Sequence, residues 1–181
     1  MTEPIRGFKG EHRFLSNFEP CDVRVSGTVY PSAEHAYVAM KTDNPDVRAE
    51  IAALPTAARA KAFGRHRSFP LRANWNEIRL GAMYVVVQSK FHQCPELAEK
   101  LKGTGDAELV EENSWGDTFW GVSDGEGDNW LGVVLMSVRE ELFRSEGFET
   151  SVMRTLHRYV EGRAAVQGVE SFLSVCLRED D

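Results

Sequence analysis

The stretch Asn74-Trp75-Asn76-Glu77-Ile78-Arg79-Leu80-Gly81-Ala82-Met83-Tyr84-Val85-Val86-Val87-Gln88-Ser89-Lys90-Phe91-His92-Gln93 decides the fold. Asn74 and Glu77 have the spacing of a capping box, with Asn in place of Ser or Thr. Ile78, Met83 and Val86 supply apolar positions behind it, so a helix is predicted from Trp75 to about Gln93. It is the longest regular element the sequence offers, and it makes the fold mainly helical.

Upstream, Ser32 can cap a helix through Ala33-Glu34-His35-Ala36-Tyr37-Val38-Ala39-Met40-Lys41. Asn44-Pro45 opens a second helix with Val47, Ile51 and Leu54 on one face, and Pro55 closes it. Thr56 can cap a third that ends at Gly64, a residue suited to the left-handed backbone of helix ends. Before these, Phe14-Leu15-Ser16-Asn17-Phe18-Glu19-Pro20 and the alternating Val23-Arg24-Val25 read as short strands and loops.

Downstream, Pro95 starts a helix to about Lys102, Gly103-Thr104-Gly105-Asp106 reads as a turn, and Glu108-Leu109-Val110-Glu111 as a short strand. Glu112 to Trp130 holds three of the four Trp residues among glycines, and is expected to be an ordered loop. Leu131, Val134, Leu135, Val138 and Leu142 then predict a core-facing helix to about Phe143. A further helix is expected from about Glu149 to Gly162. The sum is one α+β domain over residues 1–181, mainly helical with a small β-sheet, ending in a helical extension over 144–181.

Composition narrows the function. A hydrophobic fraction of 42% and a charged fraction of 27% belong to an ordinary globular protein. The net charge of -7 opposes nonspecific coating of nucleic acid, although a pocket can still capture one modified nucleotide. Cys21, Cys94 and Cys176 are far apart, which suggests neither a disulfide framework nor a zinc site. With no signal peptide and no membrane span in the sequence, a cytoplasmic monomer is expected, with no metal and no cofactor. The chain lacks the phosphate-binding P-loop pattern and any H-x-x-x-H pair.

Three places could carry chemistry. Glu34 and Lys41 stand seven residues apart, two turns along one helix face, where they can serve one pocket. Spacing alone favours a solvated helix with two ordinary charges. Trp75, at a helix start, could stack a planar base, though a lone Trp there reads first as a cover for the core. The loop Asn113-Ser114-Trp115-Gly116-Asp117-Thr118-Phe119-Trp120-Gly121, continued by Gly125-Glu126-Gly127-Asp128-Asn129-Trp130-Leu131-Gly132, spends large aromatics on irregular backbone. It can wall a pocket, point the Asp117 carboxylate into it and offer Asn129 to a ribose or phosphate. A purely structural aromatic loop stays open; a calcium loop is disfavoured by the spacing of Asp117, Asp124 and Asp128.

Taken in order, Phe14-Leu15-Ser16-Asn17-Phe18, Tyr30-Pro31-Ser32-Ala33-Glu34-His35-Ala36-Tyr37 with Lys41, Asn74-Trp75, Lys90-Phe91, Thr104-Gly105, Glu111, Asp117-Thr118-Phe119-Trp120-Gly121, Gly127-Asp128-Asn129-Trp130-Leu131-Gly132, Leu135-Met136 and Arg139 resemble the NADAR, or YbiA-like, family. The resemblance covers about residues 8 to 143.

It implies an N-glycosidase acting on ribose joined to a base through nitrogen. Family substrates are ribosylaminopyrimidine phosphates of riboflavin biosynthesis, and ADP-ribose, including ADP-ribose linked to guanine. The family's acidic and Trp positions fall on Glu34, Trp75 and Asp117, with Lys41 as a further motif match; these four are the expected catalytic residues. Ser16, Asn17, Phe18, Trp120, Gly121, Asn129 and Gly132 of the motifs, with Arg6, are the expected substrate contacts. A carboxylate can stabilise the positive charge that develops at ribose C1, and a neutral lysine amine can attack that carbon. The leading expectation is a hydrolase that removes ADP-ribose from guanine on DNA. The alternatives are a hydrolase of riboflavin precursors and a module that binds ADP-ribose or NAD without turnover.

Overall fold

The computed structural model describes residues 2–144. The chain begins with β1 (Ile5–Arg6) and a 3-10 helix (Gly10–Leu15), then forms a hairpin of β2 (Pro20–Val25) and β3 (Thr28–Ser32). The helices α1 (Ala33–Ala39), α2 (Pro45–Ala52), α3 (Ala57–Phe63), α4 (Trp75–Gln93) and α5 (Pro95–Gly103) follow. Three two-residue strands, β4 (Leu109–Val110), β5 (Glu112–Asn113) and β6 (Val122–Ser123), precede α6 (Trp130–Arg144). The architecture is α+β and mainly helical, and its β part is divided into three two-stranded pairs: β1 with β4 and β5 with β6, both parallel, and β2 with β3, antiparallel.

α4 is the axis of the core. It packs against β2, α6, α1 and α5, with Ile78, Leu80, Met83, Tyr84, Val86, Val87 and Phe91 buried along it. The apolar surface removed from water on these faces is the main driving force for the arrangement. The β2–β3 hairpin turns at Ser26-Gly27, both with positive φ, the mirror-image turn whose twist matches the strands it joins.

Local chemistry explains most helix starts. Ser32 Oγ caps α1 by accepting the His35 amide, Asn44 Oδ1 caps α2 at the amides of Asp46 and Val47, and Thr56 Oγ1 caps α3 at the Arg59 amide. Three expectations need correction. Asn74 makes no side-chain cap, so α4 starts where Trp75 meets the core and not through a capping box. Gly64 is right-handed, with φ of -69. It is glycine because a Cβ there would stand 2.6 Å from Val38 Cγ1, at the contact of α1 with the end of α3. The segment from Glu112 to Trp130 is also not wholly irregular, since β5 and β6 pair within it. The 3-10 helix was not foreseen. The expected helix over Glu149–Gly162, and the extension over 144–181, lie outside the described residues.

Candidate active site

α1 is buried along its whole length. Its N-terminal turn is joined to the loop before it by the Glu34 amide, which donates to the Asn17 carbonyl at 3.0 Å. Glu34 is buried and lines a cleft of about 620 Å³, within the range of small-molecule sites.

Four segments meet around this cleft. Ser16, Asn17 and Phe18 form one wall; Glu34, Tyr37 and Lys41 come from α1 and the residues just after it; Lys61 and Arg65 come from α3 and its end. Glu111, Asp117, Trp115 and Trp120, from the segment between β4 and β6, complete the lining.

The charges in it are perturbed by burial. Desolvation raises the Glu34 carboxyl above the ordinary carboxylate range, and the nearby cations Lys61, Lys41 and Arg65 oppose that rise only in part. Lys41 is lowered, again chiefly by desolvation, with Glu34 pulling it up and Arg65 and Lys61 pushing it down. The two groups thus lie within electrostatic reach of each other, and a neutral amine and a neutral acid are both brought closer to physiological pH. Burial raises Glu111 to about 7, against the pull of Lys61.

Aromatic rings occupy two separate places. Tyr37 packs against Trp75 at 5.2 Å and edge-on to Trp120 at 5.5 Å between ring centres, and the Lys41 ammonium sits 5.5 Å from the Tyr37 ring and 5.8 Å from the Trp75 ring. Lys61 stands between Phe18 at 5.3 Å and Trp115 at 5.4 Å, and Trp115 is 56% exposed. One set is inside and one is at the mouth.

The glycine-rich loop keeps its shape through Asn113 and Asp117. Asn113 Nδ2 donates to the Asp117 and Val122 carbonyls, its Oδ1 accepts the amides of Trp115 and Asp117, and Asp117 Oδ1 accepts the Trp120 amide at 2.9 Å. Two polar oxygens on cleft residues, Asn17 Oδ1 and Glu111 Oε2, are shielded from solvent without a hydrogen-bond partner. Such atoms cost stability and are tolerated where a ligand completes them.

The NADAR domain profile matches residues 6–143. The chain belongs to the NADAR family of N-glycosidases. N-glycosidase YbiA of Escherichia coli is 38% identical over 129 residues, which is 71% of this chain and 80% of that protein. A riboflavin biosynthesis protein of Vibrio vulnificus is 43% identical over 145 residues, 78% of this chain. The matched region spans 39% of that relative's length. The NMR structure of Escherichia coli YbiA superposes with a TM-score of 0.72 at 32% identity, covering 81% of this chain and 90% of that one.

Within this NADAR fold, Glu34, Lys41, Asp117, Ser16, Asn17, Phe18 and Trp120 line the cleft together. Trp75 stands one layer back, behind Tyr37 and beneath Lys41. The remaining expected contacts lie off the lining, for identifiable reasons. Arg6 is exposed and pairs with Glu112 at 3.8 Å. Asn129 uses both ends of its amide on the backbone, accepting from the Glu111 amide and donating to the Leu109 carbonyl. Gly121 and Gly132 are where the chain packs on the Glu111 and Leu109 carbonyls, with no room for a Cβ.

Sequence reasoning passed over Lys61, Arg65, Tyr37 and Glu111 as site residues. Tyr37 and Glu111 stood inside the NADAR motifs, so the signal existed; Lys61 and Arg65 read as surface charges of a short helix. His35, beside Glu34, is a structural residue: Nε2 donates to the Leu54 carbonyl and Nδ1 accepts from Ser32 Oγ. Gly121-Val122-Ser123-Asp124-Gly125 fits the serine-hydrolase elbow pattern, yet Ser123 is buried in β6 opposite Asn113 with a turn, not a helix, after it. None of the described helices is long and apolar enough to cross a membrane.

Proposed function

We propose that this chain cleaves the N-glycosidic bond between ribose C1 and guanine in ADP-ribosylated guanine, including guanine on DNA. The observation that carries the proposal is the division of the cleft. Buried Glu34 and half-buried Lys41 share the lining with an inner aromatic set, Tyr37 with Trp120, an outer one, Phe18 with Trp115, and the cations Lys61 and Arg65. A ligand with a base at each end and a diphosphate between them uses all three parts.

In the chemical step, transfer of a proton from Lys41 to Glu34 leaves a neutral amine, which burial favours at both groups. The amine attacks C1 as the bond to the base nitrogen breaks, and the opened sugar is held as a Schiff base until water releases it. Asp117, fixed by the Trp120 amide, orients ribose hydroxyls with its remaining oxygen. The experiment is incubation of the purified protein with ADP-ribosylated guanine DNA. Release of unmodified guanine supports the reading; none at any pH tested counts against it.

A second reading, hydrolysis of ribosylaminopyrimidine phosphates of riboflavin biosynthesis, is favoured by relatives named for that pathway in Vibrio vulnificus and, at 34% identity over 144 residues, in Zea mays. It leaves the outer aromatic pair without a partner, and a substrate panel read by mass spectrometry separates the two. A module that only binds ADP-ribose needs shape and hydrogen bonds, whereas a buried acid beside a desolvated amine weakens the fold without improving recognition.

A further inference from the structure

Breaking the bond to a base leaves an electron pair on a nitrogen that departs poorly as an anion. If Glu34 has taken the proton of Lys41, the departing nitrogen needs a second acid. The lining holds one, Glu111, that stood in the sequence motifs without a role.

Glu111 lies between β4 and β5 with its backbone fixed on both sides. Its amide donates to Asn129 Oδ1 at 3.0 Å and its carbonyl accepts the Val122 amide at 2.9 Å. The side chain lines the cleft, and Oε2 is closed off from solvent without a hydrogen-bond partner among the described residues. The charged groups that face it are Lys61 from α3, Asp117 from the glycine-rich loop and Lys9 from the N-terminal segment. Glu34, which also responds to Lys61 and Asp117, responds in addition to Lys41 and Arg65. The two carboxyls therefore share a central charge environment while belonging to different walls, one beside the amine and one beside Lys9.

We infer that Glu111 is a catalytic residue that donates its proton to the base nitrogen as the C1–N bond breaks. The electron pair of that bond passes to the nitrogen, which takes up the proton, and Glu111 is left as a carboxylate facing Lys61. When water adds to the ribosyl carbon held by Lys41, its proton returns to Glu111, so the residue acts first as acid and then as base. Burial that raises the group to about 7 agrees with a proton held at neutral pH. The pinned backbone limits where the carboxyl can reach, which keeps the donor within the cleft.

This inference rests on the proposed function, and the test separates the two. The wild-type protein and Glu111→Gln are compared on ADP-ribosylated guanine and on an ADP-ribosyl nitrophenyl ether, whose phenolate leaves without a proton. The variant is expected to lose about 10²–10⁴-fold with guanine and little with the nitrophenyl substrate. The wild type is expected to slow above about pH 7, and the variant to lack that fall. Equal losses on both substrates, or a variant that keeps the wild-type rate and pH limb, overturn the role of Glu111. Thermal melts confirm that the near-isosteric variant is folded. A wild-type protein that releases no guanine marks failure of the proposed function itself, and the inference falls with it.

Discussion

Lys90 Nζ donates to the Phe14 carbonyl at 2.6 Å and to the Ser16 carbonyl at 2.8 Å, from a side chain with no exposed surface. The two carbonyls end the 3-10 helix and begin the wall Ser16-Asn17-Phe18. Since the Asn17 carbonyl in turn accepts the Glu34 amide, one buried ammonium on α4 ties the core to the wall of the cleft and to the first turn of α1. Desolvation lowers this lysine to about 8, yet it keeps N–H donors in either protonation state.

Replacing Lys90 by Met keeps the length and apolar stem but leaves the Phe14 carbonyl without its donor and the Ser16 carbonyl with the Glu19 amide alone. An unsatisfied buried group costs about 1–3 kcal/mol, so a loss of about 1–3 kcal/mol is expected in urea unfolding. Residual activity should show a raised KM, because the wall that holds Asn17 and Phe18 is no longer fixed. An unchanged unfolding midpoint would show that the tether is dispensable.

Lys41→Ala should lower turnover by about 10³-fold or more, as removal of a nucleophile does, and Glu34→Gln by about 10²–10⁴-fold, with circular dichroism unchanged in both. Borohydride added during turnover should reduce the Schiff base and leave a stable sugar adduct on the wild-type chain. Mass spectrometry should place it on Lys41 and find none in Lys41→Ala. Turnover by wild type without any trapped adduct would favour attack by water.

The helical frame was legible because its signals are local. Ser32, Asn44 and Thr56 cap where their side chains predict, and Leu131, Val134, Leu135 and Val138 are buried as their spacing requires. Asn74 misled because burial of Trp75, a tertiary effect, and not a cap sets that helix start. In the site, Glu34 and Lys41 were legible as residues serving one pocket, although α1 ends at Ala39 and Lys41 reaches the cleft from the turn after it and not from a second turn of the same helix. Lys61 and Arg65 were not, since only the packing of α3 beside α1 turns surface-type cations inward. Asn129 looked like a ligand contact because no sequence pattern reveals that both ends of its amide are spent on the β4–β5 backbone.

Glu111 makes stability depend on pH. Its folded pKa, about 7, lies above the ordinary value of 4.5, so the folded state binds a proton that the unfolded chain has released between those values. Its favourable contribution is full below about pH 4.5 and lost as pH rises through 7. Glu111→Gln should match wild type at pH 4 and exceed it at pH 8 by about 1–2 kcal/mol, allowing for solvent screening in an open cleft. Melts at the two pH values check this, and an equal difference at both contradicts it.

Gly132 lies in the first turn of α6, where a Cβ would collide with the Leu109 carbonyl and press on both side-chain atoms of the Asn129 amide. The obstacle is backbone and a fully used amide, so no side chain can swing aside. Gly132→Ala should therefore push α6 off β4 and break the Asn129 bonds to Leu109 and Glu111, with a loss of about 3 kcal/mol or more. Gly103 ends α5 with open space around its Cβ position and no positive φ, so Gly103→Ala is the matched control and should be neutral or slightly stabilising. Chemical unfolding of the pair measures the difference. Because Glu111 moves with Asn129, any folded Gly132→Ala protein should also lose activity more than its stability alone would explain, whereas a glycine that only contacts substrate would leave the unfolding midpoint in place.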